Sequence, residues 1–265
     1  MVNGSVTSVV SVFLDTPRLE LTRYVGYKLP TLEWAKTRIE FFREWTLKSL
    51  RNQSFRDFRV FLLCSKHSKE LVESYEWDDV EVCYDDGRSR YEAMDTDYIT
   101  VTRLDSDDLF HKATMEIIHD RLVLSDGIER LFMSDYYRWL RLHECMIHIT
   151  NPLTIDMWSP CYTIIFPKAE YKDWAVMHDN WFVYVMDTFK KRGHPLPPDL
   201  VCMIRLEEST HHAVHEQDPF DKHRLAMEIN SARGFGRKIM WSPEEHMGVL
   251  KDFGISREQY LGGRV

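Results

Sequence analysis

At 265 residues the chain is long enough to bury a substantial core without disulfide or metal staples, and it is read as one domain spanning 1–265. Its 44% hydrophobic and 29% charged content is that of an ordinary globular protein, and 13% aromatic residues leave rings for a sugar- or base-stacking pocket. A net charge of −8 argues against broad phosphate neutralisation, so no broad nucleic-acid binding is expected. Val6 to Leu14 alternates Ser/Thr with Val and Phe before Asp15-Thr16-Pro17, the pattern of a first strand opening into a loop. Thr31 can cap the helix that follows, in which Leu32, Ala35, Ile39, Phe42, Trp45 and Leu50 recur at helical spacing through Asn52. Arg38 on that helix divides between a surface salt bridge and a diphosphate contact. The apolar run Phe58–Cys64, ending at Ser65, reads as a buried parallel strand, Lys69–Tyr75 as a short helix and Val80–Tyr84 as a third strand, closed by Asp85-Asp86-Gly87. This strand–helix–strand rhythm predicts an α/β fold with a doubly wound mixed sheet flanked by helices, whose ligands bind outside the carboxyl ends of the strands. Leu14-Asp15-Thr16, Ser65, Asp85-Asp86 and the acidic stretch 105–108 all fall on that edge.

Arg88, Arg90 and Tyr91 come next, Arg90 being a candidate for donor phosphate or a charge on an exposed short helix. Tyr98 to Phe110 then joins a buried strand pattern to Asp105-Ser106-Asp107-Asp108. Three carboxylates within four residues repel one another unless solvated or bridged by a cation, and oxygen ligands of this kind suit Mg²⁺ or Mn²⁺. Asp105 and Asp107 are therefore candidate metal ligands. Arg103-Leu104-Asp105-Ser106-Asp107-Asp108 resembles the Asp-x-Asp signature of nucleotide-sugar glycosyltransferases of the GT-A fold, in the form carried by a rhamnosyltransferase-like family. Upstream, Arg38, Phe42, Thr46-Leu47, Ser49-Leu50, Gln53, Phe55 and Phe58 resemble the same family's Arg, aromatic, Thr-Leu-Pro-Ser, Gln and Phe pattern, with Lys48 where the family has Pro. The likeness covers about the first half of the chain. It implies a GT-A-like fold with a nucleotide-binding half over 1–108 and an acceptor half over 109–265. Together with the convergence of the strand ends on one edge, it makes Asp15, Arg38, Ser65, Asp85, Arg90, Arg103 and Asp105 candidate nucleotide contacts.

Lys112–Leu124 is predicted helical and Leu131–Ile149 a pair of antiparallel strands; Met157–Phe166 reads as another strand pair around Ser159-Pro160. Trp174–Lys190 is predicted to be a helix, with Asp179 near its start. By the GT-A resemblance this segment faces the acceptor, which makes Asp179 the candidate catalytic base; the alternative is a carboxylate satisfying the helix dipole. Arg192–Pro198 reads as a loop and Leu200–Leu206 as a strand. In the cluster after it, His211 or His212 is placed to complete the metal shell, as late His residues do in several GT-A families. His211 and His215, four apart, could also hold zinc, although no His-Glu-x-x-His pattern surrounds them. Asn230–Trp241 carries Arg237 among glycines and cations, which suits a loop closing over a diphosphate as well as a plain basic surface loop. Ser256–Val265 looks like a short helix or tail.

The five cysteines, Cys64, Cys83, Cys145, Cys161 and Cys202, are odd in number, widely spaced and mostly inside apolar runs, as buried thiols of a reducing compartment are. The N-terminus lacks a basic region followed by an apolar core, and no run approaches the ~18 apolar residues of a membrane span. A cytoplasmic chain with no transmembrane segment is expected. The function expected is a Mn²⁺- or Mg²⁺-dependent glycosyltransferase that moves a sugar, rhamnose by the family likeness, from a nucleotide-diphosphate donor to a glycan or other hydroxyl acceptor. The alternatives are a non-catalytic nucleotide- or metal-binding protein of the same fold, and a His-centred metal hydrolase.

Overall fold

The computed structural model describes residues 4–15, 31–84, 87–132, 135–140, 145–150, 162–170, 193–195, 203–206 and 239–262. The first four strands are β1 (Val6–Phe13), β2 (Arg59–Leu63), β3 (Glu81–Cys83) and β4 (Tyr98–Asp105). They lie parallel in the spatial order β3-β2-β1-β4. Both faces of such a sheet are covered, so its strands read as nearly continuous apolar runs. On β1, Val10 and Val12 join the core on one face with Leu14 beyond them, and Val9 joins the core on the other. Ser11 faces that second side and shares a buried 2.6 Å hydrogen bond with the Tyr91 hydroxyl, which satisfies its polar group inside the core.

The helices that cover the sheet follow from the same alternation. α1 (Leu32–Phe41), a π-helical turn (Phe42–Thr46) and α2 (Leu47–Arg51) run without a break. Thr31 caps the start, its hydroxyl accepting from Trp34 N at 3.1 Å. Ile39, Phe42, Leu47 and Leu50 pack with Val10, Val12 and Leu62 and with Val72 of α3 (Lys69–Glu73). α4 (Arg88–Glu92) covers the opposite face through Tyr91. Gly87 enters α4 at φ +79°, where a Cβ would also lie 2.9 Å from the Tyr91 ring, so glycine is needed there on two counts. α5 (Thr114–Asp120) adds Met115 and Ile118 to the first core.

Beyond β4 the sheet turns mixed. β9 (Tyr162–Pro167) lies antiparallel to β4, β6 (Glu129–Phe132) antiparallel to β9, and β10 (Gly193–Pro195) parallel to β6, which completes a seven-stranded sheet. A second, five-stranded sheet has the order β12-β8-β7-β11-β5, from Ile239–Met240, Cys145–Thr150, Asp135–Leu140, Met203–Leu206 and Asp108–Phe110. α6 (Pro243–Leu250) and α7 (Arg257–Gly262) pack with this second sheet. Among the described residues no helix is long and apolar enough to cross a membrane.

Among the described residues the predicted elements are recovered in order, with several differences. Of the strand pair expected over Met157–Phe166 the described residues hold only β9, and Ile239–Met240, expected in a loop, is the strand β12. Gly193-His194-Pro195, expected in a loop, is a short edge strand whose pairing with β6 is non-local and left no periodic signal. The helix expected over Lys112–Leu124 is confined to Thr114–Asp120, because Leu122 and Leu124 pack against the first core and Lys112 is drawn to Asp252 at 2.7 Å. The antiparallel pair expected within Leu131–Ile149 is β7 and β8, but β6 leaves for the other sheet. The helix expected over Trp174–Lys190 lies outside the described residues.

Candidate functional site

Strand register brings the carboxyl ends together. Asp105 stands opposite Phe13, Phe13 opposite Leu63, and Leu63 opposite Cys83, so the ends of all four parallel strands share one edge. Asp15, just beyond β1, is 5% exposed and is tied to the end of β2. Its two oxygens accept from Ser65 N and Ser65 Oγ, each at 2.7 Å. Asp15 and Ser65, both expected to meet nucleotide, thus clasp each other across two strand ends. Burial foremost, with the Asp15 and Cys83 charges, pushes the buried Cys64 thiol beside them well above the ordinary value.

The acidic motif sits where the chain passes from one sheet to the other. Asp105 is the last residue of β4, Ser106 and Asp107 form the turn, and Asp108 is the first residue of β5. Its carboxylates are divided rather than clustered. Asp107 forms a buried ion pair with Arg38 at 2.5 Å, both side chains 9% exposed. Asp105 pairs with Arg103 at 3.0 Å, both 17% exposed, and the Arg103 guanidinium lies 5.5 Å from the centre of the Phe13 ring. Asp108 is buried, its backbone paired with Arg205 of β11. The repulsion that suggested a cation is met in the structure by two arginines expected to contact phosphate.

A buried polar face of the long helix holds this turn. Thr46 Oγ1 donates to Ser106 O at 2.8 Å, and Ser49 Oγ accepts from Phe110 N at 3.1 Å while donating to Thr46 O. Gln53 donates from Nε2 to Ser49 O and His111 O and accepts from Met115 N at Oε1. With the Arg38–Asp107 pair, three side chains of the helix and Gln53 just past its C-terminal end reach the segment from Ser106 to Met115. A π-helical turn rotates each residue by less than an α-helical one does, which moves Thr46 toward the face carrying Arg38. Thr46, Ser49 and Gln53 were visible in the sequence as part of a family-like pattern, but nothing in a linear string assigns them this work.

Arg90 does not join the group. It contacts Glu81 at 3.4 Å, beside the two 2.6 Å bonds from Arg59, on the edge strand β3. Three strand spacings, about 14 Å, separate that strand from β4. Asp85, Asp179, His211, His212, His215 and Arg237 lie outside the described residues.

The donor types at the turn suit a hard cation, since carboxylate oxygens are what Mg²⁺ and Mn²⁺ take. Ser106 Oγ, also in the turn, is buried and makes no hydrogen bond among the described residues. No three His, Cys, Asp or Glu side chains among the described residues gather as a ready metal cage. Mg²⁺ is commonly held by one or two carboxylates and completed by substrate phosphates.

No protein-family model and no curated protein matches the sequence. Solved structures resemble it in fold at low similarity. A cytidylyltransferase from Leptospira borgpetersenii serovar Hardjo-bovis aligns with TM-score 0.40 and 15% identity, over 74% of this chain and 78% of that one. Rv0371c from Mycobacterium tuberculosis H37Rv, in complex with manganese, aligns with TM-score 0.37 and 11% identity over 84% and 99%. A CMP:2-keto-3-deoxy-manno-octonic acid synthetase complexed with CTP aligns with TM-score 0.33 and 9% identity over 85% and 99%. Identities of 9–15% with TM-scores no higher than 0.40 assign no activity, and what this chain itself exhibits is a mixed α/β fold with an acidic turn at the carboxyl edge of its parallel strands.

Proposed function

We propose that the chain is a divalent-cation-dependent glycosyltransferase that takes its sugar from a nucleotide-diphosphate donor. The observation that carries this reading is the acidic turn at the end of β4, held by Arg38 and Thr46 of the long helix, with Ser49 and Gln53 fixing the segment that follows it. A solvated surface loop would need no such buried support. Transfer from a nucleotide sugar leaves a diphosphate whose charge must be neutralised as the glycosidic bond breaks. Bound through Asp105 and Asp107, Mg²⁺ or Mn²⁺ would supply that neutralisation without a proton. Arg38 and Arg103, already at the turn, are the cations of the chain itself that can turn to phosphate oxygens. Asp15 and Ser65 shape the neighbouring strand ends on the nucleotide side.

Asp179 is proposed as the base for the acceptor hydroxyl if transfer inverts, and His211 or His212 as a late metal ligand. Asp85 and Arg237 are kept as proposed nucleotide contacts, within a domain spanning 1–265. The two aspartate–arginine pairs favour a second reading, a nucleotide-binding protein of the same fold that needs no cation. Calorimetric titration with uridine, thymidine, guanosine and cytidine diphosphates, with and without Mn²⁺, separates the two. The transferase reading expects binding of at least one nucleotide that depends on Mn²⁺, together with release of that nucleotide from a sugar donor. Equal binding without Mn²⁺ and no release from any donor would favour the second reading.

A further inference from the structure

Resting on the transferase reading, we infer that Arg38 couples the cation to the diphosphate, so that neither binds the acidic turn well without the other. The Arg38–Asp107 pair is buried on both sides, and buried charges persist only when compensated. Arg38 also lies over the Trp34 ring at 5.3 Å, which fixes its stem on the first turns of the helix. Its partner Asp107 is part of a turn clamped through Thr46 to Ser106 O. Arginine and carboxylate are therefore both held in place, and what can change is the charge between them.

A divalent cation on Asp107 alone would put two positive charges beside a guanidinium that cannot lose its own. Repulsion at that separation in a poorly hydrated pocket makes cation binding weak while Arg38 has no anion to turn to. A diphosphate supplies the anion: its oxygens can accept from the planar guanidinium and ligate the cation together. The free protein is then electrically closed by Arg38 on Asp107, and the loaded protein by cation and diphosphate. This differs from Arg38 as a simple phosphate contact, which would strengthen nucleotide binding without changing how tightly the cation binds alone. By linkage the factor by which diphosphate tightens the cation equals the factor by which the cation tightens diphosphate.

The test is calorimetry of Mn²⁺ alone, of the four nucleoside diphosphates alone, and of each nucleotide at saturating Mn²⁺, on the wild type and Arg38→Gln. In the wild type a nucleotide that binds should tighten Mn²⁺ at least about tenfold, within the range common for coupled sites. In Arg38→Gln, Mn²⁺ alone should bind several-fold tighter than in the wild type, and the coupling factor should fall below about threefold. An unchanged coupling factor in that variant overturns the inference and leaves the transferase reading standing. A wild type that binds no nucleotide in either condition overturns both. Should Arg38→Gln fail to fold by circular dichroism, Arg38→Lys takes its place, because it keeps a positive charge beside Asp107 but lacks the planar fork. It should leave binding of Mn²⁺ alone within about twofold and lower the coupling factor about threefold or more; an unchanged coupling factor overturns the inference.

Discussion

Asp107 and Asp105 belong to one short motif, yet they stand in different electrostatic settings. Asp107 is buried against Arg38, whereas Asp105 and Arg103 are each 17% exposed. Removing one partner of a buried pair leaves an uncompensated charge, at a cost of about 3–5 kcal/mol, while partly exposed pairs contribute about 1 kcal/mol or less. Asp107→Asn should therefore lower stability in denaturant titration several times more than Asp105→Asn, and both should abolish Mn²⁺-dependent nucleotide binding. Equal stability losses would contradict the difference in burial, and retained Mn²⁺ dependence in both would remove the metal role. The sequence alone does not show this difference, because Arg38 lies 69 positions from Asp107 in the chain.

His111, immediately after β5, has its imidazole held below the ordinary value chiefly by burial, and Nδ1 accepts from Ala113 N at 3.2 Å. Folding thus favours the neutral ring. Its contribution is complete above the unfolded value of about 6.5 and is lost as pH falls through the lower folded value. Urea titrations between about pH 7 and pH 5 should show stability declining with acidity, and His111→Asn, which keeps an acceptor for Ala113, should flatten that decline. A variant with the wild-type slope would assign the pH dependence elsewhere.

At the scale of elements, the long helix has two jobs on two faces. Ile39, Phe42, Leu47 and Leu50 fill the core under the sheet, while Thr46 and Ser49, with Gln53 just past the helix end, hydrogen-bond the segment that follows β4. Thr46→Val keeps the shape and leaves Ser106 O without that donor, a loss of roughly 1–3 kcal/mol for a buried group. The Mn²⁺ concentration giving half-maximal nucleotide binding should rise about threefold or more, and Thr46→Ser should restore it. Tyr91→Phe, which breaks a buried bond to Ser11 on the other face of the sheet, serves as the comparison. If it shifts Mn²⁺ dependence as much as Thr46→Val does, the effect is general destabilisation and the tether has no special role.

On the scale of the molecule, a further apolar core containing Phe41, Trp45, Leu109, Trp139, Leu250 and Tyr260 joins the long helix, the second sheet and the C-terminal helices. Trp139 stacks on Tyr260 at 5.6 Å and meets Trp45 edge-on at 5.7 Å. Buried His246 hydrogen-bonds both the Tyr260 hydroxyl and Met240 O. Lys112 and Gln259 add links from these helices to the segment after the acidic turn and to the long helix. Trp139→Ala should cost about 3–5 kcal/mol, which for a chain of this size lowers the thermal midpoint by roughly 10 °C. A shift of only a degree or two would show that the C-terminal helices are not packed on β7 as described.

The sequence by itself determined the order and kind of the early elements, because buried parallel strands and amphipathic helices write their periods into consecutive residues. β1, β2, β3 and β4 and the Thr31-capped helix were legible for that reason, as was the position of the acidic residues at a strand end. Only the tertiary structure decided the partners. Arg38 reaches Asp107 across 69 positions and Thr46 reaches Ser106 across 60, and no local pattern encodes which charge or carbonyl a buried side chain will meet. Arg90 was placed near phosphate by its sequence neighbours, but strand order carries it to Glu81 at the opposite edge of the parallel strands. The passage from β4 in one sheet to β5 in the other across two residues was likewise hidden, since a strand's local sequence does not name the sheet it will join.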